Sequence, residues 1–342
     1  MTNNEERAGQ KTADASESWD ITTNLGATAL AVAAQRAAET AQTHPLVRDE
    51  FAAILVAAVN EPGWIAMASG DLSWMGRENE LGPRTAIVGR EYVATRTVFF
   101  DEFCASAIEQ GIQQVAIVAA GLDARSYRLP CLAGIHVYEI DQPAIHEFKQ
   151  STLRAQGHTP IANTHPVAVD LRNDDWPIAL TEAGWDEAVP TAWIIEGLLP
   201  YLSSTEHERL FRTVTQLSAN RSQLAAEVYH HATSHFGSER LERWKEEAAD
   251  IDTALGVDVD VTAFIKHDDA TDTASWLTNH GWVTETLDSR SEMARLGRPI
   301  PADLIDTAPA SSLVTAVLPM THEEGVAAAL SRCSEDEQDT PG

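Results

Sequence analysis

Five short apolar runs in this chain each lead into an acidic residue. Val115–Gly121 runs on to Asp123, Ile135–Ile140 ends on Asp141, Val167–Val169 on Asp170, Trp193–Ile195 on Glu196 and Leu224–Ala226 on Glu227. Runs of this length, alternating with helix-like segments, read as strands of a parallel sheet covered on both faces. In an open sheet of that kind ligands bind outside the carboxyl ends of the strands. Carboxylates placed there suit ribose hydroxyls, amino groups and positive charge, and they would repel a pyrophosphate. The pattern therefore points to S-adenosylmethionine, whose reactive centre is a sulfonium cation, rather than to a nicotinamide dinucleotide.

Composition narrows the partners. The formal net charge is −28 over 342 residues, which argues against nucleic acid or an anionic membrane, since both require a basic footprint. Cys104, Cys131 and Cys333 are odd in number and scattered, so neither a disulfide framework nor a zinc site is expected. A reducing cytoplasm fits. The first nineteen residues are polar and acidic, unlike a secretory signal, and no apolar run approaches the roughly 20 residues that span a bilayer.

Along the chain, residues 1–16 lack periodicity and read as a disordered arm, as does the tail 331–342. Residues 17–110 are expected to form an N-terminal helical lid: an Ala-rich helix broken at His44-Pro45, a short helix at Phe51–Val59, a loop or lid at Gly63–Arg84, then a helix over 86–110. Phe99, Phe100, Phe103 and Ala107 fall on one face of that last helix and read as core. Residues 111–330 form the α/β domain, interrupted by a polar, His- and Glu-rich helical insertion at 229–270. Asp141-Gln142-Pro143 predicts a helix start, with proline at the first helical position. Ser203–Glu206 predicts a capping box. A helix near 271–280, a strand Trp282–Leu287, a Gly/Pro-rich connection Gly297–Pro309 and a strand Leu313–Leu318 close the domain. The last two strands read as a hairpin-like pair with one antiparallel edge strand.

Candidate site residues follow from the strand ends. Gly121 can supply a turn without a side chain over a ligand, or simply a tight turn. Asp141 lies twenty positions beyond it, the spacing at which Rossmann-type sites hold ribose hydroxyls; helix capping is its structural alternative. Glu139 is read as facing away from the site. Asp170 could take an adenine amino group while Leu171 packs on the purine, or Asp170 could merely close the strand in an Asp turn. Glu196 could hold an amino group, or pair with an arginine. Arg96 offers a planar guanidinium for a carboxylate, or a surface ion pair. Among His230, His231 and His235 the i and i+4 pair would share a helix face, but no acidic partner sits at a metalloprotease spacing, HExxH is absent, and a solvated helix is the reading; no GxSxG or GxGxxG occurs either. No metal is expected, and no catalytic residue is assigned.

Taken in order, SWDITTNLGATALAVAAQRA, RTVFFDEF, QVAIVAAGLDARSYRL, YEIDQP, VAVDLR and PTAWIIEGLLPYL resemble the actinobacterial, largely mycobacterial, S-adenosylmethionine-dependent methyltransferases. These lie within the leucine carboxyl methyltransferase superfamily. The resemblance runs from about Trp19 to Leu318. It implies a class I methyltransferase fold: a Rossmann-like, seven-stranded, mostly parallel sheet with a helical lid. It also implies that Asp141, Asp170 and Leu171 are cofactor positions, with Arg96, Gly121 and Glu196 alongside. The expected activity is in-line methyl transfer to a carboxylate or hydroxyl of a small molecule. A non-catalytic S-adenosylmethionine sensor is the alternative, and substrate is not inherited.

Overall fold

The computed structural model describes residues 21–73, 81–229 and 272–320, apart from positions 23, 174 and 307. The expected disordered arm and tail and almost all of the insertion, with its three histidines, lie outside the described residues. Seven strands form one sheet: β1 (Gln114–Val118), β2 (His136–Asp141), β3 (Asn163–Ala168), β4 (Thr191–Ile195), β5 (Gln223–Tyr229), β6 (Val283–Asp288) and β7 (Ser311–Val317), ordered β3-β2-β1-β4-β5-β7-β6. Strands β1 to β5 are mutually parallel. β7 runs antiparallel to both β5 and β6, which makes the late pair at one end of the sheet antiparallel as expected. This is the α/β class I methyltransferase arrangement. Pro166 lies within β3, which its place at the sheet edge permits.

Both faces of the sheet are covered. On one, Phe100, Phe103, Cys104 and Ala107 of α4 (Leu81–Glu109) pack on Val115, Ile117, Val137 and Ile194. On the other, Tyr138, Trp193 and Ile195 meet Trp176 and Leu180 of α7 (Trp176–Glu182) and Leu210, Phe211 and Val214 of α8 (Ser204–Gln216). β1 and β4 are buried at every position, which is why they read as unbroken apolar runs. The capping box at Ser203 and Glu206 forms in both directions.

Ahead of the sheet, α1 (Asn24–Thr40), α2 (Glu50–Ala58) and α3 (Pro62–Ser69) share a core built on Leu30, Ala34, Leu55, Val56 and Trp64. That core also takes in Leu122, just past β1, and Leu153 of α6 (Pro143–Ala155). The segment expected as a loop from Gly63 is α3 in its first half. Pro62 occupies the first helical position and Gly70, at φ 71°, ends the helix in the left-handed region. A four-residue α5 (Arg125–Arg128) follows the β1 turn, and α9 (Thr273–Asn279) precedes β6. Between β6 and β7 lies α10 (Ser289–Arg295), a short helix the sequence reading did not include; the Asp288 side chain caps it through Ser291 N–H. Among the described residues no helix is long and apolar enough to cross a membrane.

Phe211 is fully buried, whereas Ile178 on the adjacent α7 is 62% exposed. Phe211→Ala should cost about 3–5 kcal/mol and Ile178→Ala no more than about 0.5 kcal/mol, both measured by denaturant unfolding.

Candidate functional site

The strand order reverses between β1 and β4, so the ligand crevice is expected at their carboxyl ends. The β1 turn is built from two residues in left-handed conformation, Ala119 at φ 57° and Gly121 at φ 51°. A non-glycine residue there is uncommon and tends to mark a constrained site. Gly121 N–H donates to Asp141 Oδ2 at 2.6 Å, and Gln142 N–H donates to Asp141 Oδ1 at 2.7 Å. The structure thus joins the two residues that the twenty-position spacing suggested. Asp141 does not cap α6; the cap position is Gln142, which makes no side-chain cap bond. Each Asp141 oxygen accepts one backbone N–H and keeps capacity for a second donor. Packing also favours the glycine, since a Cβ on Gly121 would lie a tight 3.3 Å from that of Ala29 on α1.

Glu139 is removed from the site for a different reason than the sequence reading supplied. Two positions apart in a strand, it shares a face with Asp141. It is spent deeper in the fold, accepting from Lys149 Nζ at 2.8 Å and from Ser126 Oγ at 2.8 Å.

Strand register sets the next feature. Ile195 pairs with Ala226, so the following residues, Glu196 and Glu227, emerge side by side. Arg96 of α4 lies between them, donating from Nε to Glu196 Oε1 at 2.9 Å and from Nη1 to Glu227 Oε2 at 2.9 Å. It is 5% exposed, not a surface residue. Its Nη2 makes no hydrogen bond among the described residues. Glu196 Oε2 accepts from Arg125 Nη1 at 2.9 Å, and the same nitrogen reaches Asp123. Arg125 Nε donates to Asp101 at 2.7 Å, and Arg128 grips Asp101 in a bidentate pair at 2.6 and 2.8 Å. Glu196 is therefore arginine-paired, as its structural alternative held, with spare lone pairs on both oxygens. Arg36 extends the cluster, binding Asp49 at 2.8 Å and the Leu122 carbonyl at 2.7 Å. Five carboxylates (Asp49, Asp101, Asp123, Glu196, Glu227) thus face four guanidiniums (Arg36, Arg96, Arg125, Arg128).

The two neighbouring glutamates titrate in opposite directions. Burial works to raise Glu196, but Arg125 and Arg96 outweigh it and hold the carboxyl below its ordinary 4.5. For Glu227, burial prevails over Arg96 and Tyr92, and the carboxyl sits above 4.5. Asp123 is held low by Arg125 against the opposing pull of burial.

Asp170 and Leu171 stand apart from this cluster, beyond β3. Asp170 accepts from the Arg172 backbone N–H at 3.0 Å, the Asp turn of its structural alternative, and from Arg172 Nε at 2.9 and 3.0 Å. Arg172 pulls its carboxyl below the ordinary value. Leu171 lines a cleft of about 230 Å³ with Trp176, Leu198, Leu202 and Leu210. Arg172, Glu206, Arg209 and Thr213 complete its lining, so this cleft between the turns after β3 and β4 is part apolar and part charged.

The sequence reading missed Arg125, Asp101 and Tyr92. Arg125 stands two positions after Asp123 in GLDAR and was visible as its local counter-ion, whereas nothing local ties Asp101 or Tyr92 to the strand ends. As a set of hydrogen-bond acceptors the strand-end carboxylates can meet ligand groups that donate, such as hydroxyls and amino groups, and positive charge. Among the described residues no group of three or more His, Cys, Asp or Glu could hold a metal.

The family model for leucine carboxyl methyltransferase matches residues 29–215. The chain belongs to that family. A relative from Mycolicibacterium paratuberculosis, provisionally named an S-adenosyl-L-methionine-dependent methyltransferase, is 51% identical over 305 residues, covering 89% of this chain and 94% of its own length. One from Mycobacterium tuberculosis with the same name is 50% identical over 293 residues, 85% of this chain and 91% of its own. The matched family span contains the β1 turn, Asp141, Asp170, Leu171, Glu196 and Arg96.

A carboxyl whose folded pKa is depressed adds stability that is complete above the unfolded value and is lost as pH falls through the folded one. Glu196 and Asp123 behave this way below their ordinary values of 4.5 and 3.8. Glu227 has the opposite sign, losing stability as pH rises from 4.5 through its raised value. Urea unfolding across a pH series should show Glu196→Gln losing less stability than the parent as pH drops below 4.5.

Proposed function

We propose that this methyltransferase moves a methyl group from S-adenosylmethionine to an oxygen of a small molecule, a carboxylate in preference to a hydroxyl. The observation that carries the reading is the Asp141 carboxylate, held against the Gly121 turn at the reversal of strand order. In this reading Asp141 accepts the two ribose hydroxyls, for which its unused lone pairs are suited. Asp170 takes the adenine amino group, and Leu171 packs on the purine. Glu196 receives the ammonium of the methionine end, and Arg96 Nη2 its carboxylate. Gly121 lets the backbone come close.

When bound, S-adenosylmethionine supplies an electrophilic methyl group on a sulfonium. The chain's own part is to fix that group and an acceptor in alignment, the kind of catalysis that needs positioning above all. The lid on this reading is the helical segment 17–110 ahead of the sheet. The preference for a carboxylate rests on protonation. An acid acceptor is already ionised at neutral pH, whereas a hydroxyl needs a base. Tyr201, one candidate base, is pushed above the ordinary phenol value by burial, and so are Tyr92 and Tyr229. Phenols in that state are poor bases.

Calorimetric titration should give saturable binding of S-adenosylmethionine and none of NAD. Asp141→Asn should weaken it by about tenfold or more, equivalent to about 1.4 kcal/mol. Incubation with a panel of carboxylic acids should then yield methyl esters, recognisable by release of methanol in alkali, which a methyl ether resists. Failure of the folded protein to bind S-adenosylmethionine refutes the reading, and binding without turnover on any acceptor class favours a sensor.

A further inference from the structure

Glu227 is one of the five strand-end acids, yet it is not placed to meet a ligand. It is fully buried, and both of its oxygens are occupied from within the fold. Oε1 accepts from the Tyr92 hydroxyl, and Oε2 accepts from Arg96 Nη1 at 2.9 Å and from Gly197 N–H at 3.1 Å. Tyr92 is itself braced, its hydroxyl lying 2.8 Å from Ser311 Oγ at the start of β7. Ser311 N–H in turn donates to Ser289 Oγ at 3.0 Å.

These contacts converge on the orientation of one group. A guanidinium is planar, so anchoring two of its nitrogens fixes where the third points. Glu196 holds Arg96 Nε and Glu227 holds Nη1, which leaves Nη2. Gly197 lies against this guanidinium in the left-handed region, at φ 67°, a conformation that side chains rarely adopt; a Cβ there would only touch Nη1 at 3.6 Å and Nη2 at 3.9 Å. Glu196 alone would hold only one corner. A buried carboxylate is costly, and burial already favours its protonated form. A residue serving only to join β5 to its neighbours needs no charge.

We propose that Glu227, braced by Tyr92, is a positioning residue that locks Arg96 with Nη2 directed at the carboxylate of the cofactor's methionine end. The inference deepens the proposed function and rests on it. Neither Glu227 nor Tyr92 touches the ligand; both act through Arg96.

The test compares two ligands that differ in that carboxylate alone, S-adenosylmethionine and its decarboxylated analogue. Their affinities are measured by calorimetry for the parent protein, Glu227→Gln and Tyr92→Phe. The parent should prefer the carboxylate-bearing ligand by roughly tenfold or more, the scale of a charge-assisted pair. In both variants that preference should collapse towards unity while the analogue binds as it does to the parent. Equal weakening of both ligands would show a merely structural role and overturn the proposal, as would an unchanged preference. A parent that binds both ligands equally also overturns it, while leaving the cofactor reading intact. A parent that binds neither brings down the cofactor reading as well. Should Glu227→Gln fail to fold, Tyr92→Phe decides the matter, since it removes a single hydroxyl.

Discussion

Arg96 is the hinge of this structure, because the sheet brings two carboxylates to the same level and something must stand between them. Parallel strands lie about 4.8 Å apart, and the register sets Glu196 beside Glu227. Two like charges at about 5 Å repel by about 3 kcal/mol at an effective dielectric of 20. A guanidinium with one nitrogen on each carboxylate turns that repulsion into two charge-assisted hydrogen bonds. Removing one member of a buried pair strands the other, at about 3–5 kcal/mol. The ends of β4 and β5 and the centre of the candidate site therefore rest on the same atoms.

From Arg96 the charges alternate outward. Glu196 leads to Arg125, then to Asp101 and Arg128, and through Asp49 to Arg36. The chain starts on the sheet and ends on α1 and at the cap of α2. Arg36 also binds the Leu122 carbonyl in the β1 turn. The helices ahead of the sheet are thus tied to the β1 turn by directional polar bonds as well as by the apolar core of Leu30, Leu55 and Trp64. Ala29 of α1 lies over the same turn, so close to Gly121 that an added Cβ there would stand 3.3 Å from its methyl.

How far the molecule could be read in advance depended on the range of each interaction. β1 and β4 were legible because burial on both faces leaves an unbroken apolar run. The spacing of Gly121 and Asp141 was legible because consecutive parallel strands joined by a crossover impose one, but the bond between them was not. α3 was overlooked although Pro62 and Gly70 mark its ends, the mixture of Gly, Trp and Met having been given more weight than those two residues. The ion chain was hidden for a different reason. Arg96 meets partners 100 and 131 positions away, and no local pattern encodes such a meeting. Glu227 showed itself as a strand-end acid, but whether it faced a ligand or Tyr92 depended on how α4 docks. Arg172 had the opposite fault: its grip on Asp170 is purely local, yet it drew no attention beside a residue already assigned to a ligand.

The balance of charge bears on how such a site would work. Five carboxylates against four guanidiniums leave an excess of negative charge if all are ionised. On the proposed reading this favours a sulfonium ligand over its neutral thioether product, which helps product leave. The same field opposes the chemical step, because positive charge is being lost as the methyl group departs. An interaction stronger in the ground state than in the transition state cannot raise the rate. The acceleration must then come from geometry, from holding donor and acceptor so that little freedom remains to be lost. A densely hydrogen-bonded ion chain at the strand ends is what that mode of catalysis requires of the fold. Its buried charges contribute precision at the strand ends, at a cost that an apolar core would not incur.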